Sequence, residues 1–133
     1  MISNFIVVDD DYVNNIICRR IIKKAFPEAD VQEFLDPDTA LVYIKSTFAK
    51  YDSPDAVLFL DINMPTITGW QFLEAFERFD TRVKGHLKIY MLSSSVDLND
   101  KERAANNPNV LGYFEKPLSL TIVNSLLNEK MRL

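Results

Sequence analysis

Glycine is scarce in this chain. It occurs three times in 133 residues, at Gly69, Gly85 and Gly112, too widely spaced to form a phosphate-cradling loop, which argues against a dinucleotide-binding fold. Cysteine is scarcer: Cys18 stands alone, so it has no internal disulfide partner. A reducing, cytoplasmic setting is expected, with Cys18 as a small core filler. Runs of positive charge are also missing. Nothing exceeds Arg19-Arg20 or Lys23-Lys24, and the net charge is −4, which argues against a general nucleic-acid-binding surface. No apolar stretch approaches the roughly 20 residues needed to cross a bilayer. Met1-Ile2-Ser3-Asn4 lacks the basic region of a signal peptide. The only histidine, His86, sits beside Gly85 and reads as a solvated loop residue.

A hydrophobic share of 47% and a charged share of 26% describe an ordinary soluble globular chain. The length fits one domain with one core, and residues 1–133 show no repeat, linker or low-complexity segment. No second domain is expected.

Strand and helix signals alternate five times. Asn4–Val8, Val31–Phe34, Ala56–Leu60, Leu87–Leu92 and Val110–Phe114 read as strands. The first helix, from about Asp11 to Ala25, places Val13, Ile17 and Ile21 on one face, and Pro27 marks its stop. Asp36-Pro37 reads as N-cap and first residue of a second helix, with Leu41, Ile44 and Phe48 as its buried stripe. A third helix carries Phe72, Leu73, Phe76 and Phe79 after a loop bounded by Pro65 and Gly69. The Trp70, Phe72, Phe76 and Phe79 cluster reads mainly as core, with exposure and contact to a partner as the alternative for Trp70, which falls beside Gly69 near the site rim. A fourth helix, about Leu98 to Asn106, has a thin apolar face of Leu98, Ala104 and Ala105. Pro117 opens a last helix with Ile122, Val123, Leu126 and Leu127 facing the core. Strands separated by helices imply βαβ units, a parallel sheet and helices on both of its faces.

Polar groups cluster at the strand ends. Phe5-Ile6-Val7-Val8 runs into Asp9-Asp10-Asp11, and Ala56–Leu60 runs into Asp61. The fourth strand opens into Ser93-Ser94-Ser95, and the fifth ends in Glu115-Lys116-Pro117. Asp11 reads as a helix N-cap and is set apart from the site. In an open parallel sheet the C-terminal strand ends share one edge, where ligands bind. Carboxylates crowded there repel one another, and either a proton or a cation must relieve the repulsion. A hard, oxygen-loving ion such as Mg²⁺ matches the donor set best. Carboxylates, hydroxyls and one ammonium, with no catalytic histidine, suit a phosphoryl group, whose transfer needs positioning and charge neutralisation.

Four segments in order, FIVVDDD, LFLDINMP, YMLSS and GYFEKP, resemble the receiver domain of two-component response regulators, and the resemblance runs from Phe5 to about Glu129. It implies a flavodoxin-like, doubly wound (βα)5 fold of the α/β class, with a five-stranded parallel sheet in the order 2-1-3-4-5. It implies that Asp61 is the phosphoacceptor, attacking a phosphohistidine of a sensor histidine kinase or histidine phosphotransfer protein. Asp10 matches the direct Mg²⁺ ligand, Asp9 its partner through water, and Asn63 the contributor of a backbone carbonyl. Lys116 matches the lysine that pairs with carboxylate and then phosphate. Ser93 matches the hydroxyl that closes on the phosphate, and Tyr113 the switch aromatic. A cis Lys116-Pro117 bond is implied too. The site has Ser93 where Thr is commoner, and the small polar residues Asn63 and Ser95 flank the path of attacking water. The expected readout is a downstream protein bound on the face of the fourth helix, fifth strand and last helix, with neither nucleic-acid contact nor membrane insertion.

A second reading is a small Mg²⁺-dependent phosphohydrolase of the haloacid dehalogenase type, which also uses an aspartate nucleophile and a lysine. Such enzymes place a second acid two residues after the nucleophile, where this chain has Asn63, which cannot act as a general acid.

Overall fold

Short apolar runs alternating with helical segments fold into a single open sheet. The computed structural model describes residues 3–95 and 97–131, and side chains in the last helix as far as Leu126. The elements run β1 (Asn4–Val8), α1 (Tyr12–Ala25), β2 (Asp30–Phe34), α2 (Pro37–Thr47), β3 (Ala56–Asp61), α3 (Gly69–Glu77), α4 (Thr81–His86), β4 (Leu87–Ser93), α5 (Leu98–Ala105), β5 (Val110–Glu115) and α6 (Leu120–Met131). The strands pair in parallel in the order β2-β1-β3-β4-β5, as expected. Every residue of β3 is buried, because helices cover both faces of this central strand.

The two-residue period of the strands sorts the core into two layers. Ile6, Val8, Leu58, Leu60, Ile89 and Met91 face α2, α3 and α5, meeting Ala40, Ile44, Phe72, Phe76 and Ala104. Phe5, Val7, Val57, Phe59, Tyr90 and Leu92 face α1 and α6, meeting Cys18, Ile22, Val123 and Leu126. Each fully buried aliphatic or aromatic side chain contributes about 1.5–3 kcal/mol relative to exposure. Asp11 caps α1 and Asp36 caps α2, with Pro37 at its start, as the sequence predicts.

The structure departs from the sequence reading in three places. First, α1 is turned. Val13 is 62% exposed and Ile17 36%, while Asn14, Asn15, Cys18 and Ile22 are buried. Hydrogen bonds from both asparagines to Asp9 rotate the polar pair inward. Second, α4 is a sixth helix, capped by Asp80, too short for its periodicity to register. His86 ends it and is not solvated. Its side chain is 12% exposed, with Nδ1 3.0 Å from Asp55 Oδ1 and Nε2 3.0 Å from the Lys50 carbonyl. Third, α6 begins at Leu120 and not at Pro117, with Ser119 Oγ accepting from the Ile122 N–H. The Lys116-Pro117 bond is cis, as expected. Trp70 is buried against α5, so its core reading holds and the rim alternative does not. The Leu127 side chain lies outside the described residues.

Candidate functional site

The strand register brings the distant acids together. Val8 pairs with Leu60 across β1 and β3, so Asp9 and Asp61 emerge side by side. Leu92 pairs with Asp61, and Ser93 with Glu115, which places Ser93 and Lys116 at the same edge. Two backbone bonds tie the edge together, Ile62 N–H to the Leu92 carbonyl (3.2 Å) and Lys116 N–H to the Ser93 carbonyl (2.7 Å).

Lys116 Nζ bridges the two buried acids, 2.7 Å from Asp9 Oδ2 and 3.1 Å from Asp61 Oδ1. Burial opposes its charge, but the hydrogen bonds and charges of Asp9 and Asp61 outweigh that and hold the ammonium above the usual lysine range. Burial, reinforced by the Asp9 charge, lifts the Asp61 carboxyl to about 6, against the opposing pull of Lys116. Asp61 Oδ1 also meets the Asn63 N–H at a long 3.4 Å. Asp10 is exposed at the mouth.

One carboxylate oxygen each from Asp9, Asp10 and Asp61 lies within 4.8 Å of the others. Set against the single ammonium of Lys116, these acids leave two negative charges when ionised. That surplus and the all-oxygen donor set fit a small divalent cation such as Mg²⁺.

Ser93 is buried, and its hydroxyl donates to the Ser95 carbonyl at 2.8 Å. The half-buried Tyr113 donates to the same carbonyl at 3.3 Å. Asn63 and Ser95 are both exposed beside the site. Thus Asp9, Asp10, Asp61, Ser93 and Lys116 share one edge, with Asn63 and Tyr113 at its border.

Two sets of residues were not singled out in the sequence. Asn14 Nδ2 donates to Asp9 Oδ2 at 2.7 Å, and Asn15 Nδ2 to the Asp9 carbonyl at 3.1 Å. The signal was available as a polar pair inside an otherwise amphipathic helix just after the acids. Gly69 lies directly behind the site, where an added Cβ would come 2.7 Å from the Asp61 carbonyl oxygen. Next to it, Trp70 Nε1 donates to Asp100 Oδ1 at 3.3 Å, and the Arg103 guanidinium lies 4.5 Å from the centroid of its ring. These contacts join the segment behind Asp61 to α5.

Comparison with known proteins bears on the family and the fold. The family model described as "Response regulator receiver domain" matches residues 5–128. A curated relative named stress response regulator protein 1, from Scheffersomyces stipitis, is 41% identical over 66 residues, covering 50% of this chain and 21% of that protein. Its namesake from Lodderomyces elongisporus is 31% identical over 117 residues, covering 86% of this chain and 29% of that protein. The chain therefore spans between a fifth and a third of these relatives' length. Among solved structures, a two component response regulator from Cytophaga hutchinsonii superposes with a TM-score of 0.88 at 27% identity, covering 99% of this chain and 98% of that one. A response regulator receiver protein from Dyadobacter fermentans gives 0.86 at 29% identity, covering 95% of each chain.

Proposed function

The chain belongs to the response regulator receiver family, a family of two-component signalling domains and not of classical enzymes, and from that premise we propose that Asp61 is its phosphoacceptor. The observation that carries this reading is the Lys116 ammonium bridging Asp9 Oδ2 and Asp61 Oδ1. An Asp61 carboxylate oxygen is the nucleophile. It attacks the phosphorus of a phosphohistidine on a sensor histidine kinase or histidine phosphotransfer protein. An O–P bond forms as the N–P bond breaks, and the electron pair leaves with the donor imidazole. Lys116 then turns from the carboxylates to the phosphoryl oxygens. Asp9, Asp10, Asp61 and the Asn63 carbonyl are the proposed Mg²⁺ ligands. When bound, Mg²⁺ supplies charge neutralisation at the phosphoryl oxygens.

The switch belongs to the same proposal. A phosphoryl group adds about −1.5 to −2 charge and strong acceptor oxygens. Ser93 exchanges its bond to the Ser95 carbonyl for one to the phosphoryl group, and Tyr113 moves into the space released. The surface that changes is the one formed by α5, β5 and α6, where Leu98 and Leu111 are exposed. A downstream protein target binds there. A cytoplasmic setting goes with this reading, because the unpaired Cys18 suits a reducing compartment.

The phosphohydrolase alternative is set aside, since the matched family is a signalling one and position 63 holds no acid. Incubation with a small phosphodonor and Mg²⁺ tests the proposal. One acid-stable, base-labile adduct per chain is expected on Asp61, absent from Asp61→Asn. Sustained turnover of phosphate esters would overturn it.

A further inference from the structure

The rotation of α1 places two asparagines in the interior while Val13 and Ile17 face outward. An amphipathic helix buries its apolar face unless something specific holds the polar residues in place. Here that anchor is Asp9, itself only 1% exposed. Its Oδ1 accepts from the Asp11 N–H at 2.8 Å. Its Oδ2 accepts from both Asn14 Nδ2 and Lys116 Nζ, each at 2.7 Å. An ionised carboxylate only accepts, so the Asn14 amide must present its NH₂ to Asp9. The same NH₂ lies 3.7 Å from Cys18 Sγ. Asn15 donates to the Asp9 carbonyl from the next position of the helix.

We propose that Asn14 is a positioning residue for phosphoryl transfer at Asp61, acting through Asp9 to release Lys116. The inference rests on Asp61 being the acceptor. Lys116 starts closer to Asp9 than to Asp61, and phosphorylation draws it away from Asp9. A buried carboxylate that loses a donor keeps its desolvation cost unless another donor stays in place. Asn14 is that donor. It also shares the Asp9 oxygen with Lys116, which weakens the grip of Asp9 on the ammonium. Without Asn14 the full charge of Asp9 falls on Lys116, and the lysine is held back from the incoming phosphoryl group.

The test compares Asn14→Leu, close in volume but without the donor, with Asn14→Ala. Phosphorylation by a small phosphodonor is measured across Mg²⁺ concentrations, alongside the affinity for beryllofluoride, a phosphoryl mimic. Both variants are expected to lose about tenfold or more in maximal rate and in beryllofluoride affinity, with the donor concentration at half-saturation unchanged. A packing role predicts instead that Leu is silent and only Ala is impaired, which would overturn the proposal. Wild-type protein supplies a second measurement that does not depend on how the variants fold. The Asn14 side-chain amide is expected to exchange slowly by NMR and to keep its hydrogen bond when beryllofluoride binds; rapid exchange would also overturn the proposal. Failure of the parent reading looks different, because the adduct would then persist in Asp61→Asn.

Discussion

Ser93 and Tyr113 share one acceptor. Both hydroxyls donate to the carbonyl oxygen of Ser95, at 2.8 and 3.3 Å. The Ser95 N–H approaches Ser93 Oγ in return, at 3.3 Å. A hydroxyl buried at a strand end and a half-buried aromatic on the next strand are therefore linked through one loop residue. Any ligand that captures the Ser93 hydroxyl leaves Ser95 with Tyr113 as its remaining hydroxyl partner.

This link predicts how the switch is broken. Ser93→Ala removes the donor that the phosphoryl group would attract, while Asp61, Asp9 and Lys116 stay in place. The adduct is expected still to form on Asp61, slowed about five- to tenfold, in line with roughly 1 kcal/mol for one hydrogen bond. The Tyr113 ring signals should shift on beryllofluoride binding in wild-type protein and stay fixed in Ser93→Ala. Equal shifts in both proteins, followed by NMR, would separate Tyr113 from Ser93.

The pH dependence follows from Asp61. Its carboxyl is raised from 3.8 to about 6 in the fold, chiefly by burial. A carboxyl raised on folding keeps its proton where the unfolded chain has lost it. Its contribution to stability is complete below the unfolded value and disappears as pH rises through the folded one. Metal-free protein is therefore expected to lose on the order of 1–3 kcal/mol between about pH 4 and pH 7 on account of this group. Urea unfolding in chelator measures the loss, and Asp61→Asn isolates it by flattening the slope. Adding Mg²⁺ at pH 7 should restore stability to wild-type protein and not to Asp61→Asn. Identical pH slopes in the two proteins would refute the assignment.

Gly69 sets the depth of Asp61. Its N–H donates to the Ile62 carbonyl at 2.7 Å. An added Cβ would lie 2.7 Å from the Asp61 carbonyl oxygen and 3.0 Å from both Ile62 Cα and Met91 Cε. Two of those neighbours are backbone and cannot swing aside, so Gly69→Ala must push the Asp61 segment forward. A stability loss of about 1–3 kcal/mol is expected, as for other overpacked sites, with slowed adduct formation. Gly85→Ala is the control, since nothing lies within 4 Å of its added Cβ. Equal behaviour of the two variants in thermal unfolding and adduct formation would count against this role.

The legible parts of the molecule were those written in short-range pattern. Apolar runs ending in Asp9 and Asp61 marked both the central strands and the site edge, because a strand buried on both faces needs a continuous apolar run. Asp11 and Asp36 announced their helices through capping chemistry. The face of α1 was not legible. Val13, Ile17 and Ile21 make a good helical stripe, yet Cys18 and Ile22 make another, and the choice between them depends on Asn14 finding Asp9 in space. His86 was misread for a similar reason. Its partners Asp55 and Lys50 lie more than 30 positions away, and nothing local signals the contact. The rim alternative for Trp70 stayed open because its cover, Arg103 and Asp100, comes from α5.

The turned helix has a consequence for the phosphoryl donor. Tyr12 is 63% exposed, Val13 62% and Ile17 36%, on a helix that starts just beyond Asp9 and Asp10. Under the proposed function a protein donor brings an imidazole to Asp61, so its footprint covers the rim around the acids. A small phosphodonor needs no such footprint. Val13→Asp and Ile17→Asp are therefore expected to slow transfer from a phosphohistidine protein about tenfold or more while leaving the small-donor rate unchanged. Stability should move by no more than about 0.5 kcal/mol, as for other surface changes. Parallel rate measurements with the two donors check this. Slowing with both donors would mean that the substitutions disturb Asp9 or Asp61 directly, and slowing with neither would move the docking surface away from α1.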